Sequence, residues 1–462
     1  MLREQKRTTE MVPVILCLAW PTMLEQLFQT LVQYIDTAMV GSLGTAATAA
    51  VGATSTVGWL INSSVSALSI GFLSFISQAL GEGDREKASR ASSQSVVVTV
   101  ITGLLFTVLT ITLSRKIPVW MQVDKSLTEL AGTYFLIVYS PMLFRVASVI
   151  LGNVLRAAGD TKTPMRAGLI MNFVNVLLNY FMIYETRTVS LSLFNLRIPG
   201  AGLGVTGAAL ASAVSFAVGG IIITVKVFRH PVVSPSGSSF RPDGAILRPC
   251  LRVAVPNMLQ RFGTSLGYVV FASMINSLGE ISMAAHTISN TVESAFYIPG
   301  YGMQAATAAL TGNTIGAGSL ERMKKITKTA VMTEALLMVI SGSLLFAFAP
   351  LMAAIFTDDP EVIRLCVTVL RMVAVSEPFY GVSIVIEGMM QGAGSTLMPF
   401  IFNISGMWGI RIAGTFLLVT VAGFGLPAAW GCMIAHNLSL FCCFLVYYRK
   451  GKWNALLRSS MA

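Results

Sequence analysis

Long apolar runs separated by short polar breaks dominate the chain. At 1.5 Å per residue a helical run of about 20 residues crosses ~30 Å of hydrocarbon. The pattern predicts helices near 12–40, 46–80, 92–113, 131–154, 167–184, 202–225, 253–275, 282–315, 329–350, 363–389, 398–421 and 427–448. These are twelve candidate spans. With the N-terminus inside, 22 Lys and Arg fall on that side and six opposite (Arg115, Lys116, Lys125, Arg187, Arg197, Arg364), leaving Arg145, Arg261, Arg371 and Arg411 at or within spans. That asymmetry places both termini in the cytoplasm of a multi-pass cell-membrane protein. The opening MLREQKRTTE is basic and no small-residue cleavage site follows, so it reads as a cytoplasmic tail and not a removable signal.

Composition sharpens this picture. Apolar residues make up 54% and charged residues 11% of 462, and mean hydropathy is +0.72, so most of the surface must face lipid. The net charge of +11 sits in small clusters between spans, without an aromatic-interleaved basic surface, which excludes nucleic acid as a partner. Cys17, Cys250, Cys366, Cys432, Cys442 and Cys443 form no CxxC pair and lie mostly in apolar segments, so no disulfides are expected. A monomer in lipid is the expected state.

Residues 21–90 laid on 256–325 at an offset of 235 give fifteen identities, where composition alone gives about five. PTMLEQ faces PNMLQR, and Ser42-Leu43-Gly44 faces Ser277-Leu278-Gly279. QALGEGDRE faces NTIGAGSLE, and AAGDTKTP from Ala157 faces GAGSTLMP from Gly392. Six spans per repeat give both halves the same orientation about an axis along the membrane normal. The predicted fold is therefore an all-α membrane protein of twelve transmembrane helices, in two pseudo-symmetric six-helix bundles around a central cleft. The predicted boundaries are a first lobe at 1–225, a polar cytoplasmic linker at 226–252, a second lobe at 253–448 and a tail at 449–462.

Polar residues inside such spans are the candidates for chemistry. Asp36 lies in the outer half of the first span, where an ionised carboxylate costs about 2.5–3.5 kcal/mol on insertion scales. A visiting cation would offset that cost; an interfacial position satisfied by water is the plainer reading. Asn175 and Asn179, four apart, share one face of the fifth span, and their carbonyl oxygens suit a hard cation; helix packing is the alternative. Glu25, one turn after Pro21, and Glu293, eleven residues before Gln304, are candidate contacts for a cationic substrate. Glu377 is expected to pair with Arg371 or solvent, and Glu387 is a further acid in the same span. Arg261 is placed near the cytoplasmic start of the seventh span, within snorkelling reach. His286 and His436 are expected to bond backbone carbonyls. Pro21, Pro141, Pro256, Pro299 and Pro378 lie in or near spans as candidate kinks.

The order and spacing of these motifs resemble the multidrug and toxic compound extrusion (MATE) family. The carrying residues are Pro21 followed by Asp36 in IDTAMVGSLG, QALGEGD from Gln78, LRAAGDTKTPM from Leu155 and NVLLNY from Asn175, with GAALAS from Gly207, SMAAH from Ser282 and QGAGSTLMP from Gln391. The resemblance implies efflux of cationic or amphipathic organic compounds, exchanged for inward Na⁺ or H⁺ by alternating access, with no cofactor. It also implies an ion-coupling pocket of Asp36, Asn175 and Asn179, where Na⁺ could bind, with a span-six hydroxyl: Ser212, or more weakly Thr206. Relatives often carry an acid where Asn179 stands, which leaves the choice of ion open. Thr264 and Tyr380 replace acids that one branch uses in its second lobe, so coupling is expected to lean on the first. No GxSxG, HExxH or Walker sequence is present and there are only three His, so an enzyme is not expected. A lipid-linked saccharide flippase of the same superfamily and a channel are the competing readings.

Overall fold

The computed structural model describes residues 11–121, 123–191 and 194–451. The basic segment 1–10 and the tail beyond residue 451, both expected to be cytoplasmic, lie outside the described residues, as do the side chains of Arg187 and Arg197.

The first six crossings are α1 (Met11–Gly41), α2 (Thr45–Gly81), α3 (Arg85–Leu113), α4 with α5 (Thr128–Tyr139 and Met142–Ala157), α6 (Lys162–Ile183) and α7 (Gly204–Phe228). The second six are α8 (Gly244–Asn276), α9 with α10 (Glu280–Phe296 and Ile298–Gly316), α11 (Leu320–Ala354), α12 (Pro360–Gly392), α13 (Leu397–Ser405, continuing to Val421) and α14 (Leu426–Arg449). Among the described residues nine helices are each long and apolar enough to cross a membrane, or ten when α4 and α5, bent by 47° at Pro141, count as one span. The two further crossings, α8 and the α9–α10 pair, carry more polar residues. The twelve predicted spans thus all appear, most with longer ends.

The repeat is written into the backbone. Positive-φ glycines end helices at Gly44 and Gly279, Gly83 and Gly318, and Gly159 and Gly394, each pair 235 apart. A left-handed residue at a helix end is the conformation glycine adopts without a Cβ penalty, so these turns recur because the same chain reversal recurs. Buried apolar side chains collect in two main cores. One holds Phe72, Phe135, Ile150, Leu151 and Leu155, and the other Phe271, Leu345, Val369, Val373 and Trp430.

Three features differ from the sequence reading. A two-stranded antiparallel hairpin, β1 (Glu185–Leu191) and β2 (Phe194–Ala201), joins α6 to α7, so the chain is not purely helical. The polar link between the halves is helical at both ends and shrinks to 229–243, because α7 runs on to Phe228 and α8 begins at Gly244. Arg261 consequently lies about 25 Å along α8 from its first residue and donates to Asn257 Oδ1 at 3.2 Å, instead of reaching for the helix end. The link is fastened to α3: Ser89 Oγ donates to Ser234 O at 2.6 Å, Gln94 Nε2 to Arg241 O at 2.9 Å, and Arg90 pairs with Asp243 at 2.6 Å. Asp243 also caps α8, and the Ala245 N–H together with Arg90 holds its carboxyl below the ordinary carboxylate range. All six cysteines are free, as expected.

The halves meet through close backbone approaches at one end of the bundle, the end bearing the 229–243 link. Ser74 Oγ and Gln78 Nε2 donate to Gly392 O at 3.1 and 2.9 Å. A Cβ on Gly316 would stand 1.9 Å from Gln78 O, one on Gly81 2.0 Å from Asn313 O, and one on Gly71 2.3 Å from Cys250 O. Toward the other ends of α1 and α8, Leu31, Tyr34, Ile35, Leu266 and Val269 are exposed. Gly316→Ala is therefore expected to force the lobes apart at the link end, costing about 1–3 kcal/mol as overpacking does. A lower unfolding temperature in detergent, with faster thiol labelling of a cysteine placed at Gln78, is the expected result.

Candidate functional site

Asp36 occupies the last third of α1, where it is half-buried against α6. The fifth-span spacing does what periodicity requires: Asn175 and Asn179, four apart, present both amides to it. Asn179 Nδ2 donates to Asp36 Oδ1 at 2.5 Å and to Asn175 Oδ1 at 3.2 Å, and Asn175 Nδ2 lies 3.3 Å from Ser212 Oγ of α7. Turning the Asn175 amide over satisfies it better. Its nitrogen then reaches Asp36 Oδ1 at 2.8 Å and Oδ2 at 3.1 Å, while its oxygen accepts from Ser212 at 3.3 Å. Both asparagines are nearly sealed, at 6% and 1% exposure. Asn179 Oδ1 has no hydrogen-bond partner although it is buried beside a carboxylate. Polar atoms buried this way are normally satisfied, so a buried acceptor next to Asp36 marks room for a donor or a cation.

Ser212 therefore joins the pocket and Thr206 does not. Thr206 is half-buried near the start of α7, and among the described residues no hydrogen bond links it to Asp36. Glu25, read as a substrate contact, is engaged elsewhere. Arg156 Nη2 of α5 donates to Glu25 Oε2 at 2.6 Å, Arg156 Nη1 to Asn153 Oδ1 at 3.0 Å, and Asn153 Nδ2 to Ser69 Oγ at 2.5 Å. This chain ties α1 to α5 and α2. Gln304 is half-buried with its backbone packed on Gly388, and Glu293 is enclosed within the second lobe, where Tyr297 donates to it.

The expected pairing of Glu377 with Arg371 fails for a geometric reason. Six residues on a helix turn through about 600°, which points the two side chains to different faces. Arg371 instead donates to Phe346 O at 3.4 Å, while both Glu377 oxygens are buried without a partner. Glu387 accepts from Gln260 at 2.9 Å and Gln391 at 3.2 Å. The histidines also depart from expectation: neither ring nitrogen of His436, nor Nδ1 of His286, has a hydrogen-bond partner. The neighbourhood of His286 is aromatic, its ring lying 5.7 Å from Phe271 and 5.9 Å from Trp430, centre to centre. The sequence reading missed Glu334, a fully buried acid in α11. A lone acid in an apolar run was the available signal.

The repeat makes the first-lobe pocket one-sided. Adding 235 to Asp36 gives Phe271, and the ring of Phe271 carries the Arg411 guanidinium 4.1 Å from its centre. Where one half holds an acid, the other holds an aromatic covered by the protein's own cation. Arg411 sits in a stretch of α13 wound as π-helix, Gly406–Ile412.

The chain belongs to the MatE family, whose model matches residues 21–181 and 256–417. The two matches begin 235 residues apart, the offset of the internal repeat. It is thus a multi-pass membrane transporter of the multidrug and toxic compound extrusion class. The chain is 27% identical over 436 residues to a probable multidrug resistance protein NorM of Thermotoga maritima, covering 94% of this chain and 92% of that one. It is 22% identical to multidrug and toxin extrusion protein 1 of Oryctolagus cuniculus, covering 96% and 76%. In fold it is similar to a solved structure of MATE in complex with MaL6 (TM-score 0.88, 24% identity, 96% and 97% coverage). A second likeness is to an outward-facing conformation of a multidrug resistance MATE family transporter (TM-score 0.88, 24% identity, 96% of both chains).

The Glu25–Arg156 ion pair is mostly shielded, with side-chain exposures of 23% and 14%. Removing one partner of a shielded pair leaves the other charge uncompensated. Arg156→Ala is expected to destabilise the protein by on the order of 3 kcal/mol, and Glu25→Gln in the same chain to recover part of that loss. A double-mutant cycle on unfolding temperature or denaturant midpoint measures both.

Proposed function

We propose that this transporter exports cationic or amphipathic organic compounds in exchange for H⁺ or Na⁺ moving inward, with the coupling ion bound at Asp36, Asn175, Asn179 and Ser212. The observation that carries this reading is the buried acceptor Asn179 Oδ1 beside the half-buried carboxylate. A proton on Asp36 or a sodium ion among carboxylate, amide and hydroxyl oxygens would neutralise the charge in one state of the cycle, and release would restore it. The relatives are named for multidrug resistance and toxin extrusion, which supports organic cargo. Exposed Phe and Leu side chains along α1 and α8 suit such cargo.

The same geometry supports a cycle of alternating access. Lobes packed backbone to backbone at the link end close that end to passage, and a cycle would have to loosen those contacts. Pro21 in the middle of the link-end half of α1 removes the N–H that would bond Cys17 O, leaving a point where α1 can bend when the charge at Asp36 changes.

Asp36→Asn is expected to abolish ion-driven dye efflux from proteoliposomes while leaving insertion and unfolding temperature near wild type. Imposing Na⁺ and pH gradients separately identifies the ion. Efflux at the wild-type rate in the variant under either gradient would remove Asp36 from the coupling role.

A further inference from the structure

The second lobe buries a cation where the first lobe buries an acid. At the 235-residue offset α8 corresponds to α1 and α13 to α6, so Arg411 falls at the level of Val176, beside Asn175, and covers Phe271 where Asp36 stands in the other half. Arg411 is 3% exposed. We propose that this arginine, with His286 of α9 and His436 of α14, holds a halide-sized anion, chloride in physiological salt, which stays in the second lobe as the counter-ion of the guanidinium.

The guanidinium has no compensating partner of its own. Among the described residues Arg411 makes no hydrogen bond and no ion pair, and its Nε is buried without an acceptor. Phe271 and Tyr268, one turn apart on α8, take the guanidinium over their rings at 4.1 and 4.8 Å. Ring faces attract a cation, but that attraction is smaller than the cost of taking a guanidinium out of water, and it leaves the N–H groups without oxygen or halide acceptors. Glu293 is within electrostatic range, yet it accepts from Tyr297 and forms no ion pair with Arg411.

α14 supplies the next donors. Gly406 and Gly414 bracket Arg411 on α13 and press on α14: a Cβ on Gly406 would stand 2.8 Å from His436 Nε2, and one on Gly414 3.1 Å from Cys432 Sγ. Cys432 and His436, four apart, share one face of α14, so the stretch carrying Arg411 lies against that face between the two contacts. Both ring nitrogens of His436, which is 5% exposed, and Nδ1 of His286 are buried without a partner. Both histidines lie within electrostatic range of Arg411. The π-helical winding of Gly406–Ile412 sets this part of α13 apart from an ordinary helix, and such windings recur at functional sites.

The orphaned atoms select the ligand. A guanidinium nitrogen only donates, and an imidazole always carries at least one N–H, so what these groups lack is an acceptor. Water would accept from them and leave the positive charge standing, and a metal cation would add to that charge. A small anion supplies both the acceptor and the charge. Enclosure this complete favours an ion of one atom over an organic acid. The proposal stands whether or not Asp36 carries the coupling ion.

Replacing sodium gluconate stepwise by sodium chloride, at constant sodium concentration, ionic strength and pH, tests the site through the unfolding temperature of the protein in detergent. Wild type is expected to gain several degrees, rising with the logarithm of chloride concentration once the site begins to fill, and bromide to act likewise. Arg411→Gln is expected to lose the gain and Asp36→Asn to keep it. A wild-type unfolding temperature that ignores chloride overturns the proposal, as does a gain of the same size in Arg411→Gln. Should Arg411→Gln fail to fold, anomalous diffraction from wild-type crystals grown in bromide decides: a peak in contact with Arg411 and His436 upholds the site, and its absence there overturns it.

Discussion

A carboxylate among apolar helices is the constraint around which this molecule is organised. Ionised, it costs a few kcal/mol at the least in such surroundings, and the cost falls only when a proton, a cation or a set of donors takes up the charge. The chain meets that demand in different ways. Glu25 has Arg156, Glu387 has the amides of Gln260 and Gln391, and Asp36 has two asparagines with an acceptor left over. Glu334 and Glu377 have no partner at any oxygen. Acids with fixed partners hold helices together, whereas those without them need a proton or a cation to cancel their charge.

The internal repeat gives these sites a common scaffold while leaving their chemistry free to diverge. Backbone turns are kept at 235-residue spacing to the level of individual positive-φ glycines. The side chains on that scaffold have been exchanged. Glu25 and Arg156 correspond to Gln260 and Gln391, so an ion pair in one half becomes an amide pair around Glu387 in the other. Asp36 corresponds to Phe271, and the cation that covers Phe271 is Arg411, held covalently in place. A duplicated fold with unequal charge placement is well suited to a cycle in which the two lobes respond to ions differently.

How far the sequence revealed this depended on the range of each interaction. Span positions, the repeat and the shared face of Asn175 and Asn179 were legible, because hydropathy, a fixed offset and an i, i+4 spacing are local signals, whereas the meeting of those amides with Asp36 was implied only by the family resemblance. The hairpin at 185–201 was not, since two short strands between spans look like any polar loop. The bond between Glu25 and Arg156 spans 131 residues, and nothing in the periodicity of either helix announces it. Arg371 and Glu377 looked like partners from proximity in sequence, yet helical phase separates them. Glu334 was overlooked because one acid barely lowers the hydropathy of a 35-residue helix, although a single buried charge outweighs many buried methylenes in energy.

Neither cluster of acids bridges the two lobes, which bears on how charge could reach the lobe interface. Asp36 contacts α6, whose Asn175 meets Ser212 of α7, within the first half; Glu334 and Glu377 lie among helices of the second. The close link-end contacts are made by glycines, backbone carbonyls and the side chains of Ser74 and Gln78, none of them acidic, so a change of protonation at the buried acids does not act on them directly. It has to travel along a helix. α1 carries Asp36 toward one end, and at its other end Ala19 and Met23 press on Gly302 of α10, where a Cβ would stand 2.9 Å from Ala19 O. α12 carries Glu377 at its middle and ends on Gly392, whose carbonyl accepts from Ser74 and Gln78 of the opposite lobe. Each of these helices joins an acid to an interlobe contact in one rigid element, with Pro21 or Pro378 as its flexible point. In the proposed cycle a cation bound at one end is felt at the other as a change of helix shape, and close-packed glycine contacts convert even a small displacement into loss of the closed interface.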